Sequence, residues 1–388
     1  MISRWLPARS PRLSGFINGR WPPLFAFCLA LAVSLPWLGP LPAPHFQTVT
    51  STASLPTHAR PDIESTLIPN PAASAHAVTL APLGPDRIAA AWFAGSREGA
   101  EDVAIVLSRY DGRQWEDPVS IITRERVQHD TRRLVRKLGN PLLWTAPDGA
   151  LHLWFVSVSY GGWAGSALNH TVSRDEGRNW SRITRWITSP FWNLSTLVRA
   201  PPVPLANGEL GLPVYHEFIA KRPEWLRLQG AATITDKLRL PAASQSLQPA
   251  IAALDTDHAI ALLRDAGPQQ RIRMSHSVDG GAHWSSAVAT ELPNPNAGIA
   301  LLRLNDGRLL LAYNPSTSGR SSLALALSVD AGNSWSAPRI VDQGEPQDEF
   351  SYPALLQDES GVIHLAYTWK RERIKHLRFY PDWLKDLR

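Results

Sequence analysis

The chain has 388 residues, of which 44% are hydrophobic and 19% charged, and its formal net charge at neutral pH is +5. This composition allows a large buried core, excludes a chain that is disordered throughout, and is too weakly basic to indicate a nucleic-acid partner. The 33 Pro, 25 Gly and 16 Trp residues, against 2 Met, favour many short strands joined by tight turns over a helical bundle.

The first predicted element is an N-terminal export segment. Residues 1–20 carry four arginines, whereas residues 21–44 contain no charged side chain. The apolar centre, residues 24–38, is long for the core of a signal peptide and short for a membrane span, so a cleaved signal and a retained anchor both stay open. The arginine-rich flank and the lack of a small-x-small cleavage site favour the anchor. The sequence therefore predicts a periplasmic or extracellular protein that can contact a membrane through residues 21–44.

Residues 45–70 are predicted to form a linker, and residues 71–388 the folded domain. The linker is rich in Ser, Thr and Pro and lacks a regular hydrophobic period. The only cysteine, Cys28, lies in the export segment. An exported domain without a disulfide must be stabilised by its own core.

A repeated motif organises the folded domain. The pattern S-x-D-x-G-x-x-W occurs at residues 173–180 (SRDEGRNW), 277–284 (SVDGGAHW) and 328–335 (SVDAGNSW), and a weaker copy at 108–115 (SRYDGRQW). The last two tryptophans are 51 residues apart and the first two 104 apart, which indicates one unit without the motif. Repeats of about fifty residues made of short apolar runs are typical of propeller blades. We predict an all-β, six-bladed β-propeller over residues 71–376, closed by pairing of the run at 361–369 with N-terminal strand material.

The motif itself is interpreted as scaffold. An Asp in a hairpin turn accepts hydrogen bonds from nearby backbone N–H groups, Gly allows a positive φ, and Trp packs a large ring at the blade margin. A propeller ligand normally lies at the central channel instead.

The motifs resemble the Asp-boxes, or BNR repeats, of the sialidases, which are six-bladed propellers. This resemblance implies an exo-glycosidase and assigns roles along the chain. Arg97 and Asp102, in FAGSREGAEDVAI (93–105), match an early arginine and the general-acid aspartate. A general acid here must protonate the departing glycosidic oxygen.

The resemblance also implies three arginines that bind the carboxylate of an acidic sugar, because guanidinium groups match carboxylates bidentately. Arg264 and Arg320 match two of them, although Arg271 and Arg273 compete for the assignment of Arg264. His76 stands where the third is expected, so the substrate carboxylate would be bound differently.

The implied nucleophile is Tyr352, in EFSYPALLQ. Gln248 stands where the activating glutamate is expected, and a glutamine cannot accept the phenol proton. Thr368 and Trp369 stand where another glutamate is expected to brace the first arginine. These departures suggest a different acidic or neutral sugar, or attack by water.

Weaker candidates are Asn140 and Asn314, whose amides could bind sugar hydroxyls, and Trp163, whose ring could stack on a sugar. Basic runs at 123–140 and 370–378 are interpreted as solvated faces, with an anionic channel mouth as the alternative. No motif for phosphate, dinucleotide or zinc binding occurs, so neither cofactor nor metal is predicted.

Three hypotheses follow. The first is a sialidase-like glycosidase acting on an extracytoplasmic, acidic glycan. The others are a non-catalytic glycan-binding propeller and a scaffold for envelope polysaccharide assembly.

Overall fold

The computed structural model describes residues 25, 28, 44–48, 63–188, 195–242 and 245–384. The predicted export segment therefore lies almost entirely outside the described residues. Within them, no helix has the length and apolar character needed to cross a membrane. Contacts divide the chain into two units, Met1–Ala43 and Pro44–Arg388, of which the second contains all the strands below.

The strands form six antiparallel sheets that follow one another along the chain. Blade one contains β2 (Ser74–Gly84), β3 (Arg87–Gly95), β4 (Ala104–Tyr110) and β5 (Val119–Ile122); blade two contains β6 (Lys137–Thr145), β7 (Leu151–Val158), β8 (Ser166–Ser173) and β9 (Thr184–Arg185). Blade three contains β10 (Leu197–Val198), β11 (Val203–Pro204), β12 (Leu210–His216), β13 (Arg222–Gln229) and β14 (Thr233–Arg239). A helix, α1 (Arg124–Thr131), connects blades one and two.

The second half continues the same pattern. Blade four contains β15 (Ser246–Ala253), β16 (Ala259–Asp265), β17 (Arg271–Ser277) and β18 (Val288–Pro293); blade five contains β19 (Ala300–Arg303), β20 (Leu309–Tyr313), β21 (Ser322–Ser328) and β22 (Arg339–Gln343). Blade six contains β23 (Phe350–Gln357), β24 (Ile363–Trp369), β25 (Arg373–Phe379) and β1 (Glu64–Ile68). The innermost strands contact one another around a ring in which β23 also meets β2. The predicted six-bladed β-propeller is confirmed.

Blade six is closed by the N-terminal strand. β1 pairs antiparallel with β25, from Glu64 opposite Arg378 to Ile68 opposite Ile374. The run at 361–369 was expected to make this contact, but it contains β24, which pairs with β23 and β25 inside the blade. β1 lies within the predicted linker 45–70, so part of that segment belongs to the propeller.

Residues 44–48 of the same segment dock between blades three and four. Phe46 is fully buried, forms a bridge with Leu205 and packs in a cluster with Trp225 and Trp284. His45 Nδ1 lies 2.7 Å from a carboxylate oxygen of Asp257. The folded unit therefore includes residues on the N-terminal side of β1.

Irregularities in the innermost strands decide which side chains face the channel. Ala77, Asn140, Gln248 and Tyr352 have φ values of 56°, 45°, 49° and 50°, and each lies where the pairing register shifts. A bulge adds an unpaired residue and turns its side chain away from the regular alternation. In blade three, Arg199 lies at the break between β10 and β11.

The Asp-box turns have the scaffold role expected of them. In blade two, Asp175 Oδ1 accepts hydrogen bonds from Asn179 N at 2.8 Å and Ser173 Oγ at 2.7 Å, and Gly177 has a φ of 84°. These bonds, the one from Asn179 N first, lower the pKa of Asp175 to about 2. The Asp175 carboxylate therefore accepts hydrogen bonds from its own turn and stabilises that turn.

Candidate active site

The candidate site lies at one end of the channel. Because neighbouring strands alternate in direction, the innermost strands begin where the second strands end. Tyr352 and Gln248, near the starts of β23 and β15, therefore meet Arg264, near the end of β16. The Asp-box turns follow the third strands and lie at the opposite end.

Tyr352 is the centre of the site, and its ring is surrounded by arginines. Its hydroxyl accepts a hydrogen bond from Arg264 Nη1 at 3.1 Å. The guanidinium carbons of Arg199, Arg264 and Arg320 lie 5.5, 5.9 and 5.6 Å from the ring centroid. Burial raises the pKa of Tyr352, but the charges of Arg264 and Arg320 outweigh this effect, so the pKa lies below its ordinary value. The phenol is thus easier to ionise than a free tyrosine.

Arg264 and Arg320 are held by a shared partner. Arg264 Nε donates to the side-chain oxygen of Asn296 at 2.7 Å, and Arg320 Nη2 donates to the backbone oxygen of the same residue at 2.7 Å. Arg320 Nη1 also donates to Glu349 at 3.0 Å. The structure brings together two of the arginines identified by the resemblance, and Arg264 rather than Arg271 or Arg273 is the one that contacts Tyr352.

Arg371 is a further arginine of this site, and the motif comparison missed it. It lies in the β24–β25 turn, and its Nε donates to Glu349 Oε2 at 2.7 Å. Its Nη2 lies 3.3 Å from Glu98. Tyr352 and Arg371 are close enough for their charges to interact. The sequence signal for Arg371 is the basic run at 370–378, for which the sequence alone favours a solvated face.

Glu349 is the carboxylate that positions Arg320 and Arg371. Burial acts to raise its pKa, but a 2.5 Å hydrogen bond from Ser351 and the charges of both arginines lower the pKa of Glu349 to about 2. It therefore stays ionised and holds the two guanidinium groups beside each other.

His76 packs against Tyr352. Its ring is 3% exposed and meets those of Tyr352 and Phe93 edge-on, with centroids 4.6 and 5.4 Å apart. Burial lowers the pKa of His76 to about 3, so the imidazole is neutral at physiological pH. His76, which was expected to bind substrate, instead contributes an uncharged ring to the wall of the site.

Gln248 is bonded to Arg264 and to a second tyrosine. Its Oε1 accepts from Arg264 Nη1 at 3.2 Å, and its Nε2 donates to the hydroxyl of Tyr215 at 3.2 Å. Asn140 Nδ2 donates to the same hydroxyl at 2.8 Å. Burial raises the pKa of Tyr215. Both amides therefore fix a neutral phenol in the channel wall.

Glu217 is a carboxyl group that the sequence comparison did not identify. It directly follows β12, at the level where Arg264 stands on β16. Burial raises the pKa of Glu217, against the opposing charges of Lys221 and Arg264. The sequence could indicate that Glu217 follows the second strand of a blade, but it does not show that the carboxyl group is half-buried.

Asp102 and Arg97 lie in the exposed loop after β3. The Asp102 carboxylate accepts from Ser96 N at 2.8 Å and from Ser96 Oγ at 3.0 Å. These bonds, the backbone one first, lower the pKa of Asp102, and the charge of Arg97 acts in the same direction. Asp102 is therefore held as a carboxylate by its own loop.

The other candidates have different positions. Asn314 is fully buried and donates to the carbonyls of Ser322 at 2.6 Å and Phe350 at 2.8 Å, so its amide nitrogen is committed to the backbone. Thr368 Oγ1 accepts from Ala77 N at 3.1 Å. The Trp163 ring covers Gly139 so closely that a Cβ there would lie 2.6 Å from it. Trp163 thus packs beside Asn140, at the edge of the site.

Arg199 separates the site from the deeper channel. Its Nη1 donates to Val78 O at 3.0 Å and its Nη2 to Pro353 O at 2.8 Å. Burial lowers the pKa of Arg199 to about 10. Below it the innermost strands line a cavity of about 150 Å³. In the described residues, no three His, Cys, Asp or Glu side chains are grouped to hold a metal ion.

Comparisons with known proteins agree with this architecture. A model of the BNR repeat-like domain matches residues 86–365. No curated protein matches the sequence. The Hadza microbial sialidase Hz136 superposes with a TM-score of 0.67 at 16% identity, covering 80% of this chain and 66% of that one.

For two further solved structures, the matched region covers nearly all of the solved chain. The intramolecular trans-sialidase from Ruminococcus gnavus gives a TM-score of 0.65 at 15% identity, over 82% of this chain and 97% of that one. A protein of unknown function from Dyadobacter fermentans gives 0.63 at 14% identity, over 83% and 100%. At these low identities the superpositions establish a shared fold alone.

Proposed function

The chain belongs to the family of BNR repeat-like domains, and from that premise we propose that it is a sialidase-like glycosidase acting on an acidic sugar of an extracytoplasmic glycan. The observation that carries this proposal is the state of Tyr352. A half-buried phenol at a channel mouth, hydrogen-bonded by Arg264 and with a lowered pKa, has the properties of an activated nucleophile.

The arginines support an acidic sugar as substrate. Arg264, Arg320 and Arg371 all act on Tyr352 through their charges, and guanidinium groups bind carboxylates well. Arg371 supplies the third positive charge that the family resemblance expects at His76. Glu349 and Glu98 offset two of the three charges and leave the group of three arginines net positive.

The proposed reaction has two steps. The Tyr352 oxygen, having lost its proton to solvent, bonds to the anomeric carbon while the glycosidic C–O bond breaks and the leaving oxygen takes a proton from Asp102. Water then attacks the anomeric carbon, its proton passes to the Asp102 carboxylate, and the bond to Tyr352 breaks. In this scheme the arginines, rather than a base at Gln248, make the phenol ionise.

The test is hydrolysis of aryl glycosides of sialic acid, its deaminated analogue, uronic acids and neutral sugars by the full-length protein. Tyr352→Phe and Asp102→Asn are expected to lower kcat by at least about 100-fold, the usual scale for a lost nucleophile or general acid. Tyr110→Phe is a matched control, because the Tyr110 hydroxyl also accepts from an arginine, Arg378 at 3.1 Å, away from the channel. Equal activity of Tyr352→Phe and Tyr110→Phe would contradict the proposal.

A second candidate function is a propeller that binds acidic glycans without cleaving them. Two observations favour it: Ser96 holds Asp102 as a carboxylate, and Gln248 cannot accept a proton. This function predicts saturable binding of an acidic sugar, loss of binding in Arg320→Gln, and no turnover of any glycoside.

A further inference from the structure

The Asp-box tryptophans close the spaces between blades. Each one packs against the preceding blade. Trp115 lies 5.1 Å from His376 of blade six, and Trp284 lies 5.9 Å from Trp225 of blade three. Trp180 and Trp335 pack in the same way on the cores of blades one and four.

Blade three has no Asp-box, and a groove lies where its tryptophan would be. The β13–β14 turn is formed by residues 230–232, which are Gly-Ala-Ala. The groove beside it, between blades two and three, has a volume of about 1010 Å³. Its lining includes Trp144, His152, His170, Leu210, Ala231 and Ala232.

The interface between blades five and six also lacks an Asp-box tryptophan, but it is closed differently. Trp383, in the C-terminal segment, packs on Phe379, and the guanidinium of Arg339 from blade five lies 4.6 Å from its ring. In the part of the chain that the structure describes, the interface between blades two and three has neither device. Trp186 packs beside His170 at 5.3 Å without filling the groove.

The groove contains a histidine pair that is repeated in blade six. His152 Nδ1 lies 3.0 Å from His170 Nε2, and His364 Nδ1 lies 3.0 Å from His376 Nε2. Both pairs are stacked, with ring centroids 5.2 Å apart. The two pairs therefore occupy equivalent positions in equivalent strands.

In blade six the pair has a partner at each end. The Trp115 indole N–H donates to His376 Nδ1 at 3.2 Å, and His364 Nε2 lies 3.1 Å from Asp358. The indole nitrogen can only donate, so His376 Nδ1 is the acceptor and Nε2 carries the proton. In blade two, His170 faces the groove, and no indole among the described residues donates to it. Burial lowers the pKa of His170 to about 3, which keeps it neutral.

We infer that the groove between blades two and three binds a tryptophan side chain of another polypeptide, presented on a turn, with its indole N–H donated to His170 Nδ1. Trp115 on His376 is the template for this contact. The volume of the groove exceeds that of one indole ring and leaves room for the turn that carries the tryptophan. The groove is bordered by Asp175 and Trp180 of an Asp-box turn, so it opens at the end of the propeller opposite Tyr352. This inference does not depend on the proposed glycosidase activity.

The probe is a peptide of residues 328–336 (SVDAGNSWS), which is this chain's own Asp-box. Its binding to the full-length protein in detergent is measured by calorimetry, with the Trp335→Ala peptide as control. We expect saturable binding by the tryptophan peptide alone. Absence of binding to folded protein, or equal binding by the control peptide, would overturn the inference.

Two protein variants locate the contact. His170→Phe keeps a flat ring and removes the acceptor, and it is expected to weaken binding about three- to tenfold, the range of one net hydrogen bond. Ala232→Trp places an indole on the blade-three turn and is expected to block the groove. Unchanged affinity in Ala232→Trp, or displacement of the peptide by a neutral oligosaccharide, would overturn the assignment. Thermal unfolding of each variant shows that it is folded.

Discussion

At the scale of single residues, charge and burial decide what the channel mouth can do. Arg264, Arg320 and Arg371 act on one phenol, while His76 beside it is too buried to become charged. A buried tyrosine without cations has a raised pKa, as Tyr313 does at about 12. The arginines reverse that direction for Tyr352.

The first prediction concerns ionisation of Tyr352, and it needs no substrate. An alkaline titration followed by phenolate absorbance should contain a group that ionises below the ordinary tyrosine pKa of about 10. Tyr352→Phe should remove this group, and Arg264→Gln should move it to higher pH because one stabilising charge is lost. The same titration curve for Tyr352→Phe and the unsubstituted protein would show that Tyr352 is not activated.

The second prediction concerns Asp102 as the acid. It can donate only when protonated, whereas Tyr352 attacks only when ionised, so between the two pKa values the loss of one form and the gain of the other cancel. We therefore expect kcat/KM to be flat over that range, to fall below the pKa of Asp102, which Ser96 lowers, and to fall above the pKa of Tyr352. Ser96→Ala removes the hydroxyl donor but leaves the backbone one. The pKa of Asp102 should therefore rise, and the acid limb of the pH profile should move to higher pH, part of the way to that of a free carboxyl. Ser334→Ala, which removes a similar bond to Asp330 at 2.6 Å, should leave the profile unchanged.

At the scale of elements, bulged innermost strands present the site residues. Gln248 and Tyr352 both have positive φ at register shifts, a conformation that costs energy for residues other than glycine. Blade five makes room for both side chains with a glycine. A Cβ on Gly298 would lie 3.2 Å from Gln248 Oε1 and from Tyr352 Cδ1.

The third prediction follows from that contact. Gly298→Ala should push Tyr352 away from Arg264, at a cost of about 1–3 kcal/mol of folding free energy, as overpacking usually costs. The loss of activity should exceed the loss that a smaller folded fraction would cause, because the nucleophile moves. Gly149→Ala is the control for stability, since a Cβ there would meet nothing within 4 Å, although its φ of 80° adds backbone strain. Full activity in Gly298→Ala would show that the close contact does not position Tyr352.

At the scale of the molecule, N-terminal residues hold the ring together. β1 covers the edge of β25, and Phe46 fills the space between blades three and four. An uncovered strand edge invites pairing with other chains. The folded unit is therefore larger than the repeats indicate.

The fourth prediction compares two truncated proteins. A protein that begins at residue 71 should be less stable and should aggregate, because it lacks β1 and Phe46. A protein that begins at residue 44 keeps both and should unfold cooperatively. Phe46→Ala in the longer one should cost about 3–5 kcal/mol, the usual loss for a buried Phe. Urea unfolding and light scattering measure these effects, and equal stability of the two truncated proteins would contradict the prediction.

Much of the fold was present in the sequence. The spacing of Trp180, Trp284 and Trp335 indicates the length of one unit and the presence of a blade without an Asp-box between Trp180 and Trp284, because each such turn needs its own Asp, Gly and Trp locally. With the span of residues 71–376 it predicted six blades. The resemblance to sialidases, rather than the repeat itself, implied that Arg264, Arg320 and Tyr352 belong to one site. The Asp-box repeat is visible in the sequence because every blade that carries it has the same local requirements.

Only the tertiary structure decided the rest. Arg371, Glu349 and Glu217 join the site through folding that brings the ends of different blades together, and no local pattern sets them apart from surface charges. The neutrality of His76 depends on burial by Phe93 and Tyr352, which the sequence does not record. The groove at His170 lies where a neighbouring blade lacks a tryptophan, and the closure by β1 arises because residues 64–68 pair with the distant strand β25. These properties depend on contacts between elements that are distant in the sequence, and such contacts form only when the chain packs into its tertiary structure.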